Sequence, residues 1–292
     1  MTLLALALVL CAAVLHATWN LAAKRVGSGL PFVFGVGVVM TIYYVPLVVG
    51  LILWRDISLS RAELAVIGVS TLLKTGYALY LQRAYRSGDF SLIYPIVRGS
   101  APVLATIGAI VFLGENPTVL GSMGGLLIVV SIFFLSHGER LWQPSRTPTA
   151  QRLAPALLNA LIAGSFIASY TVWDRNAVGY HRINPIVFDG LTNIGLTALL
   201  APFAWGRRDA VVKIWREHRR EVLIMATLSP LAYVLVLTAL SFTPVSYVAP
   251  AREFSILIGA YFGARFLQEP ESPRRIWCAG AMITGLGILA LA

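Results

Sequence analysis

Three charges stand inside apolar runs of this sequence. Lys74 lies between Leu73 and Thr75, Arg98 follows Pro95 by three residues, and Arg252 follows Pro250 by two. A charge at the centre of a bilayer costs about 2.5–3.5 kcal/mol on the milder insertion scale, so such a residue faces a cavity or a counter-ion. Lys74 would meet a bound carboxylate or carry a proton; the alternative is a pair with Glu253 or another internal carboxylate. Arg98 and Arg252 present planar forks suited to a carboxylate or a phosphate. They would otherwise hydrogen-bond the carbonyls that each proline frees and brace the chain. Glu253, next to Arg252, reads as an ion-pair partner. Asp174 and Asp189 fall near the ends of apolar runs and read as solvated or capping.

A second group lies in the first apolar run. His16 and Asn20 are four apart and share a helix face, with Trp19 beside them. His16 titrates near neutral pH when unperturbed; as a packing residue it would be hydrogen-bonded. Tyr and Trp usually gather at membrane interfaces, but Tyr77 and Tyr233 fall too deep in their runs for that. With Trp19, Tyr80, Tyr94, Tyr170 and Trp173 they would make a π-lined pocket for an apolar or aromatic group, or pack helices together. No metal site is expected, because the four histidines have no ligand spacing. No cofactor is expected either: no lysine follows a glycine, so there is no phosphate loop. Cys11 and Cys278 sit in apolar runs and read as packing residues.

What must position these residues is a set of membrane helices. Of 292 residues, 58% are hydrophobic and only 12% charged, and the mean hydropathy is +0.77. Runs of about 20 apolar residues cross a bilayer. The pattern predicts ten, at 2–22, 31–54, 63–83, 91–113, 118–136, 153–174, 184–206, 221–241, 245–267 and 275–292. The fold class is thus all-α and polytopic. No basic residue precedes the first run, so it reads as a retained helix rather than a signal peptide. Residues 137–152 read as a linker. Residues 206–220 read as a segment on the membrane surface, with Val211, Val212, Ile214 and Trp215 dipping into lipid.

The net charge of +10 is dispersed over short loops, which argues against nucleic acid as a partner. Sixteen Lys and Arg residues border loops after odd-numbered spans and four border the even ones. The positive-inside rule then puts the odd loops in the cytosol and both termini outside.

The halves 1–136 and 153–292 echo one another. Ala84, Ser91 and Pro95 share the spacing of Ala239, Ser246 and Pro250, and after a slip of one residue Arg98 matches Arg252. Phe112-Leu113-Gly114-Glu115 matches Phe266-Leu267-Gln268-Glu269, and Thr18-Trp19 and Lys24 match Ser169-Tyr170 and Arg175. Five crossings are an odd number, so the second copy enters from the opposite side. The halves are expected to be inverted repeats around a central cavity, the basis of alternating access. Gly121-x3-Gly125 and Gly259-x3-Gly263 would allow close helix contact within the monomer.

The stretches HATWNLAAKR, SLIYPIVRGSAPV, FLGENP and SYVAPAREFSILIGAYFGARFLQE resemble the drug/metabolite transporter superfamily, EamA type, over the whole chain. The resemblance implies a ten-helix basket around a central cavity and export of amino acids, metabolites or drugs. It also implies a cytosolic N-terminus in many members, the reverse of the Lys/Arg count. The related small multidrug exporters couple to protons through a carboxylate in their first helix, and this first helix has none. The resulting expectation is a secondary transporter, not an enzyme, in a bacterial inner membrane. It would export a small amphipathic metabolite, an amino acid with an apolar or aromatic side chain, as a monomer or weak homodimer. Lys74, Asn20 and one of Arg98 and Arg252 would hold the polar end; Trp19, Tyr77, Tyr170 and Tyr233 would contact the side chain. His16 would stand beside them. A sugar-phosphate or nucleotide-sugar carrier is the alternative, with Lys74 and the two arginines as phosphate ligands. A membrane-embedded enzyme would need clustered acids or histidines, and here they are scattered.

Overall fold

The computed structural model describes residues 1–26, 29–87, 90–135, 150–267 and 273–292. Most of the linker, and the Gln268-Glu269 pair of the echo, fall outside the described residues, as do the side chains of Ser91, Tyr94 and Pro95. Among the described residues the regular structure is all helical, with no strand. The helices are α1 (Leu3–Val26), α2 (Leu30–Arg55), α3 (Arg61–Ser87), α4 (Phe90–Leu113), α5 (Val119–Leu135) and α6 (Ala150–Arg175). They continue as α7 (Pro185–Trp205), α8 (Arg208–Leu240), α9 (Val245–Arg252), α10 (Phe254–Leu267) and α11 (Pro273–Leu291). Among the described residues, seven helices are long and apolar enough to cross a membrane alone, and α5 and α11 are shorter apolar helices. With α9 and α10 together making one crossing, the ten expected spans are present.

Local chemistry sets the starts. Ser60 and Glu63 form a capping box before α3: the Glu63 carboxylate accepts from the Ser60 N–H at 2.8 Å, and the Glu63 N–H donates to Ser60 Oγ at 3.2 Å. Asn184 Oδ1 accepts from the N–H groups of Ile186 and Val187, with Pro185 at the first position of α7.

Three elements differ from the sequence pattern. The ninth span is broken: Glu253 closes α9 in a tight turn, its N–H bonding the Pro250 carbonyl at 3.1 Å while its own carbonyl accepts from Ile256 at 2.9 Å. Pro250 lacks an N–H and loosens the turn before it, inside α9, so it does not by itself place the break after Arg252. The sixth span does not stop at Asp174 but runs on through a π-helical turn, Asn176–Tyr180. The surface segment is helical and joins α8 through a kink at His218 (φ −131°, ψ 29°). Its Ile214 is half-buried against the α2 core and Val211 meets Gly35; Val212 and Trp215 are exposed.

The main packing pairs map onto one another when the two halves are exchanged. α1 packs on α8 and α6 on α3; α9 and α10 pack on α1 and α4 packs on α6; α2 meets α7 and α5 meets α11. The stripes that make these contacts correspond as well. Ala5, Val9, Ala12 and Ala17 are buried on α1, and Ala156, Ala160, Ala163 and Ala168 are buried on α6 at the same spacing. Small residues let helix backbones approach closely where lipid gives no hydrophobic drive to association. The ten crossings are two inverted five-helix repeats, interleaved so that each helix finds much of its packing in the other half.

One face of the bundle carries Met1, Ala292 and the α2–α3, α4–α5, α6–α7 and α8–α9 connections. There the halves are stitched together. The Glu115 carboxylate accepts from the Val245 N–H at 2.7 Å, the Ser246 N–H at 3.0 Å and Ser246 Oγ at 2.8 Å, so it caps α9 from the other half. Tyr247 Oη accepts from the Thr118 N–H at 3.1 Å, and its ring lies where a Cβ on Gly121 would stand.

Candidate functional site

Two polar clusters lie inside the bundle, joined by tyrosines. The first gathers on α1, α4 and the α9–α10 break. Arg98 Nη1 donates to Glu253 Oε2 at 3.1 Å, and Arg98 Nη2 lies 2.7 Å from His16 Nε2. Arg252 Nε stands 3.5 Å from Glu253 Oε1. The Glu253 carboxylate is thus fully buried between two guanidiniums, one from each half. The break between α9 and α10 puts it there, because the turn aims Glu253 inward beside Arg252. His16 and Trp19 meet edge to face at 4.6 Å between ring centroids, and Asn20 Nδ2 is tied to the His16 carbonyl at 2.8 Å.

Two donors of this cluster have no hydrogen-bond partner among the described residues: Trp19 Nε1 and Arg252 Nε, both buried. A buried N–H left unmade costs about 1–3 kcal/mol. Both point to a missing acceptor.

The second cluster lies on α2, α3, α6, α7 and α8. Lys74 Nζ pairs with Asp174 Oδ2 at 3.2 Å and donates to Thr192 Oγ1 at 3.1 Å. Asp174 also accepts from Ser70 Oγ at 2.6 Å and from Tyr233 Oη at 2.5 Å. The Lys74 ammonium lies 4.6 Å from the Tyr233 ring centroid. Asp189 accepts from the Tyr44 hydroxyl and from Asn193 Nδ2 at 2.9 Å. Both aspartates are buried, at 0% and 1% exposure, rather than solvated or capping as their position near the ends of apolar runs suggested. The lysine's partner is Asp174, one of the carboxylates the sequence pattern set aside, and not Glu253.

A tyrosine chain connects the clusters. Tyr77 and Tyr170 meet edge to face at 6.0 Å, and Tyr170 and Tyr233 at 6.4 Å. Arg252 lies within electrostatic reach of Tyr170 and Tyr233, and Tyr77 within reach of both arginines. The residues singled out in the sequence therefore fall into one connected interior seam. His16, Trp19, Asn20, Arg98 and Arg252 lie at one end, Lys74 at the other, and Tyr77, Tyr170 and Tyr233 between. Asp174, Asp189, Tyr44 and Thr192 belong to the seam without having been singled out.

Cavities of about 530 and 590 Å³ lie elsewhere, on the flanks. The first, between α3 and α7, is lined by residues such as Ile67, Thr71, Leu191 and Leu199; the second, between α3, α4 and α6, by residues such as Leu104, Phe112, Ser169 and Trp173. Neither is lined by Lys74, Arg98 or Arg252, so the charged chemistry sits in the seam. Among the described residues no group of three or more His, Cys, Asp or Glu is placed to hold a metal.

The model of the EamA-like transporter family matches residues 3–137 and again residues 154–291. A solved structure described as "Crystal structure of protein" aligns with 98% of this chain and 96% of its own, at 16% identity and a TM-score of 0.76. That likeness is one of fold. No curated protein matches the chain.

Proposed function

The chain belongs to the EamA-like transporter family, and from that membership we propose that it exports a small amphipathic metabolite by alternating access. The cargo best suited to the seam is an amino acid with an apolar or aromatic side chain. One observation carries this reading: the buried Arg252 Nε and Trp19 Nε1 both lack an acceptor among the described residues. A carboxylate supplies two acceptor oxygens and a negative charge beside the guanidiniums. The side chain would then rest on Tyr77, Tyr170 and Tyr233, where ring edges favour aromatic contact. Lys74 is held by Asp174, which leaves the carboxylate to Arg252, and Arg252 lies within electrostatic reach of Tyr233, whose hydroxyl bonds Asp174, so the two ends of the seam meet there.

The test is exchange of radiolabelled phenylalanine, leucine and a sugar phosphate in proteoliposomes. Trp19→Phe and Arg252→Gln are each expected to slow amino-acid exchange about 10-fold or more, the worth of one hydrogen bond to a charged group. Unchanged exchange in both variants would remove the proposed carboxylate site. Inhibition by inorganic phosphate, with no amino-acid exchange, would turn the reading to a sugar phosphate, which paired guanidiniums also suit.

The membrane is proposed to be a bacterial inner membrane, with both termini outside. In a chain with Cys11 and Cys278 replaced, Thr2→Cys is expected to react with an impermeant maleimide in intact cells, and Leu153→Cys only after the membrane is opened. Labelling of both from the same face would contradict the inverted arrangement.

A further inference from the structure

We propose that Asp189 is the binding site of a coupling proton, and that Lys74 displaces this proton when the cargo's ammonium reaches Asp174. The proposal rests on the transport reading above.

Asp189 lies about one turn inside the Asn184 cap of α7 and is 1% exposed. Its two bonded partners, the Tyr44 hydroxyl of α2 and the Asn193 amide of its own helix, are both neutral. Among the described residues no Lys, Arg or His forms an ion pair with it, whereas Asp174 holds Lys74 at 3.2 Å. The charges facing Asp189 are Lys74 from α3 and Asp174 from α6; Tyr233 of α8 reaches it only through Asp174. The cluster therefore has two carboxylates and one ammonium. Inside a membrane a carboxylate without a counter-charge is costly, so the cluster calls for one more positive charge.

A proton fits the place. When Asp189 is ionised, the Tyr44 hydroxyl donates to Oδ2. When Oδ2 is protonated, that hydroxyl turns about its C–O bond and accepts, and no heavy atom has to move. The hydroxyl and amide offer hydrogens to the carboxylate, an arrangement poor for a metal cation.

Lys74 is the means of release. Its ammonium already reaches α7, donating to Thr192 Oγ1 at 3.1 Å, and Thr192 Oγ1 donates to the Asp189 carbonyl at 3.0 Å. Phe188, the residue before Asp189, lies under the same ammonium at 5.1 Å. When a cargo ammonium pairs with Asp174, Lys74 Nζ leaves Asp174 for the Asp189 carboxylate, and the Oδ2 proton departs to water. The ammonium count in the cluster rises by one and one proton leaves, so its net charge is conserved. Cargo and proton are then alternative counter-charges, and a carrier holding neither would bury an uncompensated carboxylate. That is the requirement for antiport.

The test has two arms. In proteoliposomes, wild-type phenylalanine uptake is expected to respond to an imposed pH gradient, and Asp189→Asn to abolish that response and to slow counterflow, because Lys74 then has no second carboxylate to take when cargo pairs with Asp174. The second arm needs no cargo. The purified full chain is treated with dicyclohexylcarbodiimide, which modifies protonated carboxyls in apolar surroundings, from about pH 5 to about pH 9. Mass spectrometry is expected to find the label on Asp189, falling as pH rises. If the wild type moves no amino acid, the transport reading fails while the label still reports on the proton site. Absence of label at Asp189 with label at Asp174 or Glu253 overturns the proposal. So does a variant that responds to the pH gradient like its parent, or a wild type driven by sodium alone.

Discussion

Replacing Arg98 by methionine is expected to destabilise the protein by about 3 kcal/mol or more, the cost of removing one partner from a buried ion pair. Adding Glu253→Gln to the same chain is expected to recover none of the loss, because buried Arg252 then stands without its counter-ion. Arg98 donates to Glu253 across the two halves at 3.1 Å, and the carboxylate is fully buried. Without the guanidinium, Glu253 keeps only Arg252, 3.5 Å away, and His16 Nε2 loses its neighbour at 2.7 Å. The remaining arginine is why the expected cost lies at the lower end for broken buried pairs. Thermal unfolding of the detergent-solubilised single and double variants measures it. A single variant as stable as its parent would mean that this ion pair does not hold the halves together.

Gly124→Leu is expected to prevent assembly, or to cost about 3 kcal/mol where folded protein is recovered. A Cβ at Gly124 would stand 2.8 Å from the Gly285 carbonyl oxygen and 3.0 Å from the Leu289 nitrogen. Both are backbone atoms of α11, which cannot turn aside as a side chain can. Cβ on Gly285 would meet the Gly124 carbonyl in the same way, at 2.9 Å. This seam pairs the last helix of one half with the last of the other, so parting it separates the repeats. Gly287→Ala is the control: nothing lies within 4 Å of its added carbon, and the change is expected to stay within about 0.5 kcal/mol. Size-exclusion profiles and melting curves of the two variants make the comparison.

Much of the scaffold was legible because membrane helices announce themselves by run length and the repeat by spacing. The Thr18/Ser169 offset, found from a few residues, proves to be the offset at which the buried alanine stripes of α1 and α6 coincide. The glycine spacings were legible only in part. Gly121 and Gly125 meet Tyr247 and Pro250 within the monomer, but a Cβ at Gly259 would meet nothing within 4 Å, and the close backbone approach belongs to Gly124 and Gly285. Buried acids were hidden by the signal that found the spans. A hydropathy window ends a helix where polar residues begin, so Asp174 and Asp189 read as helix ends. The π turn after Arg175 carries α6 onward and leaves Asp174 inside. The partner of Lys74 was hidden too, since it depends on α3 lying against α6, a tertiary fact. Nothing in the pairing of Pro95 with Pro250 distinguishes the half in which the helix breaks from the half in which it continues. The difference lies next to the arginines, where Glu253 corresponds to Gly99 and only the acid reaches a guanidinium of the other half.

Interleaving has a consequence for how the chain is made. Helices α3 and α4 leave the ribosome carrying Lys74 and Arg98 long before their acids are synthesised; the acid bound by Arg98 is 155 residues further along. During that interval neither charge has its carboxylate, a burden of up to about 2.5–3.5 kcal/mol apiece. The first five helices are thus a debtor until translation reaches α6 and then α9. Nascent chains stopped at Leu135 should linger at the translocon or slip out of the bilayer, and become firmly embedded only once the later half is there to receive them.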